Sequence, residues 1–294
     1  MEKVTFLGLQ NCYRVFNDAI DLIVTTEIGP KIIRFGFIGD RNEFLDKTSG
    51  GFTGHILRHA PESQDRTFFG NKPVKIKEYQ KFIRFTEATE KKTGIQKEMD
   101  IPLFIEGNHI SIVHRLYNRG VWPIEIAPWT STMMPPVGKA ILPLPPRKPH
   151  GKNTLLPTSS ISIWAYCDLL DPRLVLGKKY VMLKQDGKTA GSYKLGMLVS
   201  DGWTAYYNDH HLFVVTFDFI KGATYPDLGC SVEACTFKFG HAALELETLG
   251  PLALLQPGTS VKYTENWFLF RDIADVRNDN DIDKYVLPLV REIK

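Results

Sequence analysis

The segment Ala243-Leu244-Glu245-Leu246-Glu247-Thr248-Leu249-Gly250-Pro251 alternates leucine with glutamate. Period two is the signature of a strand with unlike faces, so Leu244 and Leu246 point one way and Glu245 and Glu247 the other. An amphipathic strand with its carboxylates in water is the plainest reading. Two features add to it. Gly250-Pro251 stops the strand soon after Glu247, which places that carboxylate near a sheet end. Upstream, Cys230-Ser231-Val232-Glu233-Ala234-Cys235 is joined to it by a loop around Phe239-Gly240-His241. With three residues in that loop, Glu233 falls directly opposite Glu247. Like charges at such a position are destabilising unless they share a proton, hold a cation or meet a donor-rich ligand.

Outward from this hairpin, strand periodicity runs through almost the whole chain. Ile20, Leu22 and Val24 alternate with Asp21, after an Asn17-Asp18 turn. Lys31 to Phe37, Val74 to Ile76, Phe82 to Phe85 and His109 to Tyr117 follow. Later come Ser159 to Cys167, Tyr180 to Leu183, His211 to Phe217 and Val261 to Phe270. So many short strands predict an all-β antiparallel sandwich or barrel of large size. The clearest helix signal is Asp281 to Lys294, where Ile282, Val286, Leu289 and Val290 share a face, although Pro288 interrupts it. Seven prolines fall within 135–157. That stretch reads as a semi-rigid loop inside a single domain spanning 1–294.

With these segments in place, the sequence resembles the galactose mutarotase-like (aldose 1-epimerase) superfamily. The resemblance rests on Leu246-Glu247-Thr248, on Leu255-Gln256-Pro257-Gly258 and on the closing aromatic strand Tyr263 to Phe270. Asn118-Arg119-Gly120, Ala127-Pro128-Trp129 and Tyr225-Pro226-Asp227 are similar to an uncharacterised, mainly bacterial branch of it. What the resemblance implies is a β-supersandwich with a carbohydrate-binding cleft, no metal and no organic cofactor. It implies Glu247 as a general base that takes the proton of a sugar's anomeric hydroxyl while an acid protonates the ring oxygen. The superfamily's mid-chain histidine acid has no counterpart here, because Ile126 to Ser131 contains none.

The segment Gly54-His55-Ile56-Leu57-Arg58-His59-Ala60-Pro61-Glu62 offers replacements. In the sugar reading, His55 or His59 is the acid and Glu62 a hydroxyl contact, with Arg58 holding an anionic group. In a metal reading, His55, His59 and Glu62 share one helical face, but the flanking Gly50-Gly51, Gly54 and Pro61 oppose a helix. A surface loop is the third reading. Further sugar contacts are expected at Arg34, Trp129, Asp227, Glu233 and Glu245. The expected activity is sugar isomerisation; the alternatives are carbohydrate recognition without turnover, and glycoside cleavage by paired carboxylates.

Composition narrows the field. Of 294 residues, 43% are hydrophobic and 23% charged, which suits a globular core. Lys plus Arg is 36 against 33 acidic residues, and a net charge of +3 is too slight to imply nucleic acid as partner. No apolar run reaches the roughly 18 residues of a membrane span. The N-terminus lacks a signal-peptide pattern, and Cys12, Cys167, Cys230 and Cys235 have no metal or disulfide spacing, so a cytoplasmic protein is expected. No phosphate-binding glycine loop and no G-x-S-x-G elbow is present.

Overall fold

In a computed structural model, which describes residues 1–46, 53–63, 70–239 and 241–294, the chain forms two large antiparallel sheets. The first sheet runs in the order β1 (Glu2–Phe6), β2 (Leu9–Phe16), β3 (Ile20–Val24), β4 (Ile32–Phe37), β5 (His55–Ala60), β10 (Ile124–Met134), β19 (His241–Leu249), β18 (Val232–Phe239), β15 (Tyr193–Met197) and β12 (Ile161–Ile163). A short β20 (Ala253–Leu255) also pairs with β10. The second sheet runs β13 (Leu174–Leu176), β14 (Tyr180–Lys184), β11 (Lys139–Pro143), β16 (Trp203–Asn208), β17 (His211–Phe217), β21 (Ser260–Phe270), β9 (His109–Asn118), β8 (Ile95–Pro102), β7 (Phe82–Thr86) and β6 (Lys75–Glu78).

The main core lies between the sheets. Val232, Ala234, Leu244 and Leu246 reach it from the first sheet; Tyr263, Trp267 and Leu269 reach it from the second. Trp267 is its hub, with the rings of Phe35, Phe44 and Phe213 each 5.5 Å away in edge-on packing. Period two then dictates that Glu233, Glu245 and Glu247 lie on the first sheet's other face.

The second sheet's outer face is covered by the chain's C-terminal end. Ile282, Val286 and Val290 pack on Ile141, Met182, Trp203 and Val214. The expected helix is there in three parts: a turn at Asp279–Asp281, a π-turn over Ile282–Val286 and a helix over Leu287–Glu292. The parts also explain how Pro288 is accommodated, because it falls in the first turn of the last helix, where its missing N–H matters least.

Three expectations need correction. The Pro-rich stretch is not one loop, since residues 139–143 form β11 inside the second sheet, with Pro143 as its last residue. Of the strand expected over 159–167, only Ile161–Ile163 forms. The histidine segment is neither a surface loop nor a helix: His55–Ala60 is a wholly buried strand. Gly54 makes its start possible, for a Cβ there would lie 2.2 Å from the Ile32 carbonyl oxygen.

Candidate functional site

The β18–β19 hairpin sets Glu233 opposite Glu247, in the register the sequence suggested. Its turn residue, Gly240, lies outside the described residues. What relieves the like charges is a lysine. Lys194 on β15 places Nζ 2.7 Å from Glu233 Oε2 and 2.9 Å from Glu247 Oε2. Both carboxylates are fully buried and Lys194 is 6% exposed. Gly196 stands opposite Glu233, and a Cβ there would lie 2.5 Å from Cys230 Sγ and 3.1 Å from Glu233 Cγ. Glycine at 196 therefore makes the room that Glu233 occupies.

Around this trio the outer face is built of charged and aromatic groups. Trp129 Nε1 donates to Glu247 Oε1 at 3.1 Å. The Trp129 ring lies between two cations, with Arg58 Cζ 4.7 Å and Lys194 Nζ 4.9 Å from its centroid. Arg58 Nη2 and Ser131 Oγ both donate to Glu245 Oε1, at 3.0 and 2.9 Å. Trp164, just beyond β12, covers the lysine from the other side, its centroid 4.7 Å from Nζ. Tyr166, Leu169 and Leu170 follow it, all exposed.

Burial sets the proton affinities. It pushes Glu233 well above the ordinary carboxylate value; Lys194 opposes this, while Glu247 and Asp227 reinforce it. Glu247 is also raised by burial, again against Lys194, with Glu245 adding and Arg58 opposing. Burial disfavours charge on Lys194, but Glu247 and Glu233 outweigh it, and the lysine is held well above 10.5.

Of the residues singled out in the sequence, Glu233, Glu245, Glu247 and Trp129 come together here. Asp227 stands beside them in a left-handed turn, near enough to act on Glu233, and its carbonyl accepts from Ser162 Oγ. Arg34 does not join them; its guanidinium holds Asp21 Oδ1 at 2.9 Å and the carbonyls of Phe37 and Asp40. Glu62 is exposed beyond the end of β5.

Neither histidine faces the trio. Arg58 shares the outer face, so His55 and His59, of opposite parity on β5, point between the sheets. His55 meets Thr132, His114 and Glu265 there. His59 lines a separate cleft of ≈ 230 Å³ with Glu87, Glu90 and Lys97. Parity decides the matter, since Arg58 and the two histidines cannot all face one way.

Lys194 was missed in the sequence, although Tyr193, Leu195 and Met197 alternate around it and mark a lone lysine on the unlike face. Glu265 was missed for the opposite reason: it shares parity with Tyr263 and Trp267, a carboxylate on an apolar face.

No family model matches the sequence, and no curated protein is similar to it in sequence. Solved structures are similar in fold. A candidate aldose 1-epimerase from Escherichia coli K12 superposes with a TM-score of 0.60 at 9% identity, over 88% of this chain and 99% of that one. A galactose mutarotase-like protein from Lactobacillus casei gives 0.54 at 11% identity, over 88% and 100%. Another galactose mutarotase-like protein, from Clostridium acetobutylicum, gives 0.54 at 8%, over 92% and 98%. The fold is thus the mutarotase-like sandwich.

Proposed function

We propose that this protein is a sugar-active isomerase of the aldose 1-epimerase type, working through the Glu233–Lys194–Glu247 trio. The observation that carries the proposal is the pairing of two buried glutamates in register, with one lysine between them. Interconverting anomers needs a base at the C1 hydroxyl and an acid at the ring oxygen. The ring opens, C1 rotates, and the two groups exchange roles as it closes.

In this reading Glu247 is the base, kept ionised by the Lys194 ammonium and the Trp129 N–H. Glu233, pushed further up, holds the proton and is the acid. Two carboxylates whose surroundings drive their proton affinities apart divide the work in this way. The lysine fixes both and carries no proton of the reaction. Arg58, Ser131 and Glu245 present donors and acceptors to hydroxyl groups, and Asp227 lies at the rim. The carboxylates are covered, so a sugar enters by displacing Trp164 from Lys194.

A second reading has its own observation. Every contact named for Glu247 is internal, from Trp129 and Lys194. A closed ion trio of that kind also suits a carbohydrate-recognition protein without turnover.

Magnetisation exchange between the α and β anomers of a panel of aldoses separates the two. The isomerase reading expects exchange accelerated by the wild type and reduced roughly a hundredfold or more in Glu247→Gln. Line broadening without accelerated exchange would leave recognition alone.

A further inference from the structure

Between the sheets, three donor atoms from three strands converge on one point. They are His55 Nε2 from β5, His114 Nε2 from β9 and Glu265 Oε2 from β21. The separations are 3.2 Å between the imidazoles, 3.6 Å from His55 to the carboxylate and 3.5 Å from His114 to it. All three side chains are buried to within 2%.

Protons cannot satisfy this triangle. Each donor atom either carries a hydrogen or offers a lone pair, and three mutually adjacent atoms cannot alternate two states. Whatever tautomers are chosen, one edge sets lone pair against lone pair or hydrogen against hydrogen. In a buried site such a clash is costly. A cation at the centre removes it, because all three atoms then present lone pairs inward.

The size fits as well. Ligands about 2.0–2.2 Å from a tetrahedral ion stand about 3.3–3.6 Å apart. The atoms behind two of the three donors are arranged as ligand supports. Thr132 Oγ1 lies 2.8 Å from His55 Nδ1 and fixes that ring. Glu265 Oε1 accepts from Thr130 Oγ1 at 2.7 Å and Thr248 Oγ1 at 2.5 Å, and Trp267 Nε1 donates to Oε2 at 3.2 Å. His114 Nδ1 has no hydrogen-bond partner among the described residues, so nothing behind that ring demands a proton on Nε2.

We propose that His55, His114 and Glu265 form a binding site for a divalent transition-metal ion of the zinc type, which ties the first sheet to the second. Two imidazoles and a carboxylate suit zinc and cobalt better than calcium or magnesium, whose sites are built of oxygen. A water completes the tetrahedron. The ion's place is structural: Thr130 and Thr248, which hold Glu265, flank Trp129 and Glu247 on the strands β10 and β19. The site stands independently of any sugar chemistry.

The test is the metal content of the full chain, purified from cells grown with added zinc and, separately, with added cobalt. The expected result is about one ion per chain. In the cobalt-grown protein, visible absorption should show a tetrahedral ion without thiolate charge transfer. His114→Gln should lose the ion. Thr132→Val, close in volume but without the hydroxyl on His55 Nδ1, frees that ring and should weaken retention against a chelator by roughly 10–100-fold. Should His114→Gln fail to fold, the wild-type cobalt spectrum still decides. Protein free of zinc and cobalt, or an ion that both variants retain unchanged, would overturn the proposal.

Discussion

At the scale of single residues, Lys194 is the side chain on which the outer face depends. Without it the Glu247 carboxylate would be buried beside Glu233 with no cation to hold it. Lys194→Met should therefore destabilise the fold by about 3–5 kcal/mol, the usual cost of breaking a buried ion pair. Chemical denaturation at neutral pH measures it. Glu233→Gln should behave differently. Glu233 binds its proton more tightly in the fold than in the unfolded chain, so the folded state holds more protons at pH values above the ordinary 4.5. Stability from this group then falls as pH rises through that window. Glutamine mimics the protonated acid, so the variant should match or exceed the wild type in Tm near pH 7. Its Tm should also vary less across the acidic-to-neutral range. Lys194 acts at the other end: its stabilisation is complete below 10.5 and fades as the pH rises past that value toward its raised folded one. An alkaline loss of Tm in the wild type, absent in Lys194→Met, would show it.

At the scale of elements, the β18–β19 hairpin and its neighbour β15 do the positioning. Gly196→Ala tests this, since the added methyl meets Cys230 Sγ and Glu233 Cγ. Overpacking of that kind costs about 1–3 kcal/mol. A Tm unchanged from the wild type would show that Glu233 has room to move. The same elements show how far sequence reading reaches. Alternation in Ala243 to Thr248 gave the strand and parted its faces, and the register with Glu233 followed from the hairpin, but the plainest reading put in water two carboxylates that the fold buries. The His55–Glu62 segment defeated the same method. Gly54 and Pro61 sit at the ends, where they bound a strand, and His55 and His59 alternate with Arg58 as clearly as the glutamates do with their leucines. Burial of two histidines and an arginine on a central strand depends on partners such as His114 and Glu245, 59 and 187 positions from His55 and Arg58, that no local pattern displays. Strand β11 was hidden for a similar reason: prolines on both sides obscured a five-residue run, Lys139–Pro143, that tertiary pairing with β14 and β16 secures.

At the scale of the molecule, the two sheets meet on an aromatic core centred on Trp267, and both candidate sites depend on it. Trp267→Ala should cost about 3–5 kcal/mol, read from denaturant unfolding, because it removes the ring that Phe35, Phe44 and Phe213 enclose and a donor to Glu265. The sugar reading places its ligand on one face of the first sheet, yet the ≈ 230 Å³ cleft lined by His59, Glu87 and Lys97 lies elsewhere. Hydrogen-bonding capacity favours the first location, where Glu233 Oε1 has no hydrogen-bond partner among the described residues. A crystal structure of the protein grown with a saturating aldose distinguishes the two most directly. The expected result is a pyranose whose C1 hydroxyl and ring oxygen lie within hydrogen-bond reach of Glu247 and Glu233, with Trp164 moved off Lys194. A sugar seated in the cleft beside His59 and Lys97, with the trio still closed, would contradict it.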